Sequence, residues 1–133
     1  LLIFENNMTF EFSDFKEHQF KKILLVSNET NRTIKLSEKV LKFKAYLLED
    51  QKIRLEEKSI NCEIINTKDF KNITEEVYAL YPTVGENLDF IQNNQLKNIK
   101  FLYRKLDQFS WQYCNKGFFN FKNYIPKIIA KFN

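Results

Sequence analysis

The sequence predicts an α+β fold: an antiparallel β-meander in the N-terminal half covered by C-terminal helices. Three observations lead there. Apolar and polar residues alternate repeatedly across positions 8–65, the period of half-buried strands. Helix-start signals and three- and four-residue apolar spacing take over across 72–133. The 133 residues are 44% hydrophobic and 29% charged, which fits a single domain, 1–133, with a core of its own.

The strand-rich half opens with MTFEF (8–12), where Met8, Phe10 and Phe12 alternate with Thr9 and Glu11. Ser13 is placed to cap a short helix over SDFKEHQF (13–20). KILLVS (22–27) and RTIKLS (32–37) flank the polar stretch Asn28–Asn31, which has the length of a hairpin turn. In LKFKAYLL (41–48), Leu41, Phe43, Ala45 and Leu47 fall on one strand face, with Lys42, Lys44 and Tyr46 on the other. KIRLE (52–56) alternates again, and SINCEII (59–65) sets Ile60, Cys62 and Ile64 on one side. Strands with one apolar and one charged face are the pattern of an antiparallel sheet solvated on one side.

The helical half opens at Asn72–Glu75, a capping box whose helix would run to Tyr81 and stop at Pro82. A second box, Thr83–Glu86, would open a long helix towards Gly117, broken near Asn93 and Asn94. Ile99, Leu102, Tyr103, Leu106, Phe109 and Tyr113 form its apolar face. Lys97, Lys100, Arg104, Gln108 and Gln112 advance by three and four as a polar stripe beside it. Gly117 suits the position just past a helix end. Asn123 would cap a last helix with Ile125, Ile128, Ile129 and Phe132 inward and Pro126 in its first turn. The long helix is expected to lie across the apolar face of the sheet.

Phe, Tyr, Met, Ile, Asn and Lys make up about half the chain, whereas Gly, Ala, Arg and Pro are scarce, the signature of an AT-rich genome. Codon bias accounts for composition but not for position. Residues 1–94 carry a net charge of −3 and residues 95–133 a net charge of +7. Such asymmetry points to a polyanionic or acidic partner. Cys62 and Cys114 belong to no ligand pattern and read as small buried hydrophobes. Sequons at Asn7, Asn28, Asn31 and Asn72 lean weakly towards a secreted protein. No basic-then-apolar stretch reads as a signal peptide and no apolar run is long enough to span a bilayer. Cytoplasm or an organelle matrix is favoured over secretion.

Several chemistries are missing. His18 is the single histidine, so neither a histidine-based triad nor a two-histidine metal site can be built within the chain. Gly85 and Gly117 are the two glycines, too few for a phosphate-cradling loop. The adjacent carboxylates Glu56-Glu57 and Glu75-Glu76 read as solvated. Asp50 with Glu56-x-Lys58 is a faint metal-dependent nuclease pattern with too little room for strand pairing. No catalytic residue, metal or cofactor is expected, and the chain reads as no enzyme.

The expected function is a structural or accessory subunit of a larger protein assembly, docking through its basic aromatic C-terminal region. The rings that follow Gly117 outnumber what a small domain's interior can shelter. The partner-binding residues are Lys97, Lys100, Arg104, Trp111, Phe118, Phe119, Phe121, Lys122 and Tyr124: rings to insert into a protein partner and cations to meet an acidic rim. The alternative is an RNA- or DNA-binding protein of ribosomal type, with lysines on phosphates and rings on bases. A helix at 123–132 lying on a membrane surface is disfavoured, because it is short and carries Lys127 and Lys131 alone as cations.

Overall fold

The computed structural model describes residues 1–8, 15, 20–28, 35–70, 75–93 and 98–132. They form two compact units, Leu1–Leu102 and Tyr103–Asn133.

The first unit overturns the expected meander. Among the described residues its sheet has five strands, in the order β3–β2–β1–β4–β5. They are β1 (Leu2–Phe4), β2 (Ile23–Ser27), β3 (Cys62–Asn66), β4 (Val77–Leu80) and β5 (Ile99–Leu102). Every pairing is parallel. Leu24 sits beside Leu2 on one side and Glu63 on the other. Parallel neighbours need crossover connections of a dozen residues or more, usually helical. The crossover from β2 to β3 is supplied by α1 (Glu38–Glu56), drawn from the segment that reads as two strands.

Its start and its ion pairs explain why this segment is helical. The Ser37 hydroxyl accepts from the Val40 amide at 3.4 Å, and Glu38 lies in the first turn. Glu38–Lys42 at 2.6 Å, Asp50–Arg54 at 3.0 Å and Lys52–Glu56 at 3.8 Å are all four-residue pairs. The inward stripe is Lys44, Leu48, Gln51 and Leu55, with steps of four, three and four. Two of the four are polar, so the helical period is hidden, while Leu41 and Phe43, two positions apart, both face solvent and imitate strand alternation. Gln51 is 0% exposed. Its Oε1 accepts from Arg54 Nη2 at 2.9 Å, and the same nitrogen donates to the Met8 carbonyl at 3.1 Å.

Both faces of the sheet are covered, as a parallel sheet requires. Ile3, Ile23, Leu25 and Leu80 pack with Leu48 and Leu55 of α1, joined by Met8 and Phe15. Leu2, Phe4, Val26, Val77 and Ala79 pack on the other face, with Phe70 and with Phe90 and Ile91 of α2 (Glu86–Asn93). Phe90 meets Phe4 and Phe70 edge-on, at 6.2 and 5.4 Å between ring centres. Burying each such side chain stabilises by roughly 1.5–3 kcal/mol. The strands KILLVS and SINCEII are found, paired with each other in parallel register. MTFEF, the helix at 13–20, the turn 28–31 and RTIKLS fall largely outside the described residues.

The long helix from 83 to 117 is also corrected. It is three elements: α2, β5 and α3 (Lys105–Trp111). The segment ending at Tyr81 contains strand β4, not a helix. Val77, Tyr78, Ile99 and Phe101 are β-branched or aromatic, and the sheet uses them in strands β4 and β5.

In the second unit, α3 is followed by a 3-10 turn at Cys114–Lys116, then α4 (Phe118–Lys122) and α5 (Ile125–Phe132). Gly117 joins the turn to α4 at φ 77°, a conformation that favours glycine. Tyr113 stacks on Tyr124 at 4.4 Å, and Phe109 meets Phe132 edge-on at 5.7 Å. Lys131 lies 3.9 Å over the Phe109 ring. Pro126 sits in the first turn of α5 and Ile128 is buried, but Ile129 and Phe132 are exposed rather than inward. Among the described residues, no helix is long and apolar enough to cross a membrane.

Candidate ligand site at the carboxyl end of the sheet

In this strand order the chain leaves β1 for β2 on one side and later returns to place β4 on the other. In open α/β sheets, ligands bind outside the carboxyl ends of the strands where the order reverses. Here that position is lined by polar side chains from four elements. Glu5, Asn6 and Asn7 follow β1, Asn28 follows β2, Glu86 and Asn87 begin α2, and Lys44 reaches in from α1.

These groups form one network. Lys44 Nζ lies 2.5 Å from Glu5 Oε1 and 3.4 Å from Glu86 Oε1. Asn28 Nδ2 donates to Asn87 Oδ1 at 2.7 Å and to the Glu86 carbonyl at 3.2 Å. Asn87 Nδ2 donates to Asn6 Oδ1 at 3.3 Å, and Asn6 Nδ2 to the Pro82 carbonyl at 3.4 Å. Asn28 is 2% exposed and the Glu5 side chain 8%. Two acceptors are buried without a hydrogen-bond partner among the described residues: Glu5 Oε2 and Asn28 Oδ1. The turn from β4 into α2 holds two positive φ values, Thr83 at 64° and Gly85 at 103°. Positive φ at a β-branched residue costs energy, and such strain gathers at functional sites.

A second feature lies at the opposite, amino-terminal end of the strands. It is a cleft of about 500 Å³ with Leu2, Leu24, Ile65, Phe70 and Val77 in its lining. Glu63, which pairs with Lys22, and Glu76 line it too. Glu76 lies 2.8 Å from Lys100. That hydrogen bond holds the Glu76 carboxyl below its ordinary value and raises the Lys100 ammonium. Tyr78 is raised by its hydrogen bond with Glu76. At the cleft, Lys22 and Glu63 pair with each other, as do Lys100 and Glu76. The carboxyl end holds the unsatisfied polar atoms and lies where parallel sheets carry their chemistry, so it is the stronger candidate.

The residues singled out from the sequence are dispersed. Lys97 lies outside the described residues. Lys100 is on β5, paired with Glu76, and not on a helical stripe with Arg104, which caps the start of α3. Trp111 is exposed at the end of α3 and meets Tyr103 edge-on at 5.7 Å. Phe118 and Phe119 are 66% and 84% exposed, and Lys122 is exposed beside them on α4. Phe121 and Tyr124 are half-buried within the second unit. Two sequons change meaning: Asn7 and Asn28 are buried, so a glycan at either is incompatible with this fold. Asn31 and Asn72 lie outside the described residues. Cys62 is half-buried and Cys114 exposed, and both are free thiols, so the expectation of two buried hydrophobes fails at Cys114.

Sequence reasoning passed over Glu5, Asn6, Asn28, Lys44, Glu86 and Asn87. One signal was available: LLIF (1–4) and ILLV (23–26) are short apolar runs, each followed at once or one residue later by Glu or Asn. That is how a buried parallel strand reads when it ends at a polar site. Among the described residues, no group of three His, Cys, Asp or Glu side chains could hold a metal ion. No protein-family model matches the sequence, and neither a curated protein nor a solved structure shows significant similarity to it.

Proposed function

We propose that residues 1–102 form an α/β ligand-binding domain holding a small polar molecule at the carboxyl end of the sheet, between the ends of β1, β2 and β4. The observation that carries this reading is the pair of buried acceptors, Glu5 Oε2 and Asn28 Oδ1, left without hydrogen-bond partners among the described residues in a network of hydrogen-bonded and ion-paired side chains. Leaving a buried acceptor unsatisfied costs about 1–3 kcal/mol. Folded proteins rarely carry such atoms without a water, ion or ligand to complete them. The test is to purify the full chain natively, denature it and identify released small molecules by mass spectrometry. A compound released by the wild type and absent from Asn28→Leu supports the reading. Identical extracts from both proteins overturn it.

A second reading has its own support. Phe118 and Phe119 are among the most exposed apolar side chains and their rings touch, 5.8 Å apart between centres. An accessory subunit docking on a protein partner through these rings, Trp111 and the nearby cations would cover them. The nucleic-acid alternative separates from it by salt: phosphate contacts weaken steeply with ionic strength and ring burial does not.

A further inference from the structure

We propose that the outward face of α1 is a dimer interface, packed antiparallel against the same face of a second copy of this chain about a two-fold axis between Tyr46 and Asp50. The stripe opposite the buried one runs Lys39, Phe43, Tyr46, Asp50, Ile53 and Glu57, in alternating steps of four and three. That is the period of a coiled-coil seam. Glu57, the residue that closes α1, keeps helical backbone angles and so stays on the stripe. All six side chains are exposed. The apolar ones are strongly so: Phe43 61%, Tyr46 72% and Ile53 54%. Large apolar side chains in one row, rimmed by charge, mark an interaction surface.

The stripe is complementary to itself. An antiparallel pair that sets Phe43 opposite Ile53 also sets Lys39 opposite Glu57 and Tyr46 opposite Asp50. The two-fold axis repeats each contact. One contact is an ion pair, one is apolar, and in the third a phenol O–H donates to a carboxylate. The flanking charges agree. The first half of the face exposes Lys39 and Lys42 with Glu38, and the second half exposes Glu49, Asp50, Glu56 and Glu57. Antiparallel packing lays the basic half of one copy on the acidic half of the other, whereas parallel packing lays like on like. Glu49 is the exception: it approaches its own copy, at the solvated margin where salt screens the repulsion. With 19 residues α1 is about 28 Å long, so the contact belongs among the smaller specific interfaces, and micromolar dissociation is expected.

The test is sedimentation of the full chain at low salt, from micromolar to near-millimolar concentration. A monomer–dimer equilibrium is expected. Phe43→Glu should weaken it by about tenfold or more, with an unchanged circular dichroism spectrum. Lys39→Glu and Glu57→Lys should each weaken it about tenfold, because every dimer then holds two repelling contacts in place of two attracting ones. Mixing these two variants should restore association, since each contact between unlike chains again joins opposite charges. The double variant should restore it too. A chain that stays monomeric throughout overturns the proposal. So does a dimer that is indifferent to Phe43→Glu and lost in Phe119→Ser, which places the contact on the second unit. Charge variants that weaken association and are not rescued by mixing rule out the antiparallel register, and the proposal falls with it.

Discussion

Asn28 Nδ2 donates to Asn87 Oδ1 at 2.7 Å, joining two buried side chains 59 positions apart and tying the end of β2 to the first turn of α2. This bond holds one wall of the candidate site against another. Asn87→Ala strips a partner from Asn28 and from Asn6 Oδ1 together. It is expected to cost about 1–3 kcal/mol, the desolvation penalty of buried groups left unpaired. The urea midpoint should fall with an unchanged slope. An unchanged midpoint would show that the network contributes nothing to the fold.

Lys44 is the cation that makes two neighbouring carboxylates tolerable. Lys44→Met leaves Glu5 in a nearly dry site without its partner. The expected loss is about 2–4 kcal/mol, towards the low side of the penalty for a buried charge stripped of its partner, because Lys44 and Glu86 still reach some solvent. Adding Glu5→Gln removes the orphaned charge and should restore most of the loss. A double-mutant cycle with no coupling would refute the pairing.

The two thiols should differ in reactivity. Burial raises the Cys62 thiol, the nearby Glu56 raises it further, and its Sγ lies 3.7 Å from the Lys52 carbonyl. Cys114 is exposed. Thiolate is the reactive form, so an aromatic disulfide reagent at pH 8 should titrate one fast thiol, lost in Cys114→Ser, and one slow thiol that speeds up as pH rises. Two equal rates would contradict the burial of Cys62.

Glu76 and Lys100 pair across the β4–β5 edge at the rim of the cleft. A depressed carboxyl stabilises the fold above its unfolded value, and the contribution is lost as pH falls through the folded value. Both groups are well exposed, so the effect on stability is small. The carboxyl carbon of Glu76 should titrate below the ordinary glutamate range, and Lys100→Ala should return it towards that range. A titration unmoved by Lys100→Ala would show that the bond does not hold in solution.

Phe119→Ser should leave stability within about 0.5 kcal/mol, as surface substitutions do. Ile128→Ala, at the buried position of α5, should cost about 2 kcal/mol or more. If Phe119→Ser unfolds the second unit, the ring is structural, and the docking reading loses its principal residue.

The residues of ILLVS and CEIIN declare strands locally: they are short, apolar and rich in β-branched side chains. The positive φ at Gly117 and the place of Pro126 in α5 are equally legible, because each depends on backbone geometry at one residue. Pairing direction is not local. Alternation reports that a strand has faces and says nothing of which neighbour it meets, and α1 reads as strand because Lys44 and Gln51 occupy its inward stripe. Lys44 faces inward because Glu5 and Glu86, from distant parts of the chain, pair with it, and Gln51 because Arg54, one turn further along α1, donates to it while also reaching the Met8 carbonyl. The candidate site depends on the same kind of information. Glu5, Asn28 and Asn87 are unremarkable in the sequence and become a site only when parallel pairing brings the carboxyl ends of β1, β2 and β4 side by side.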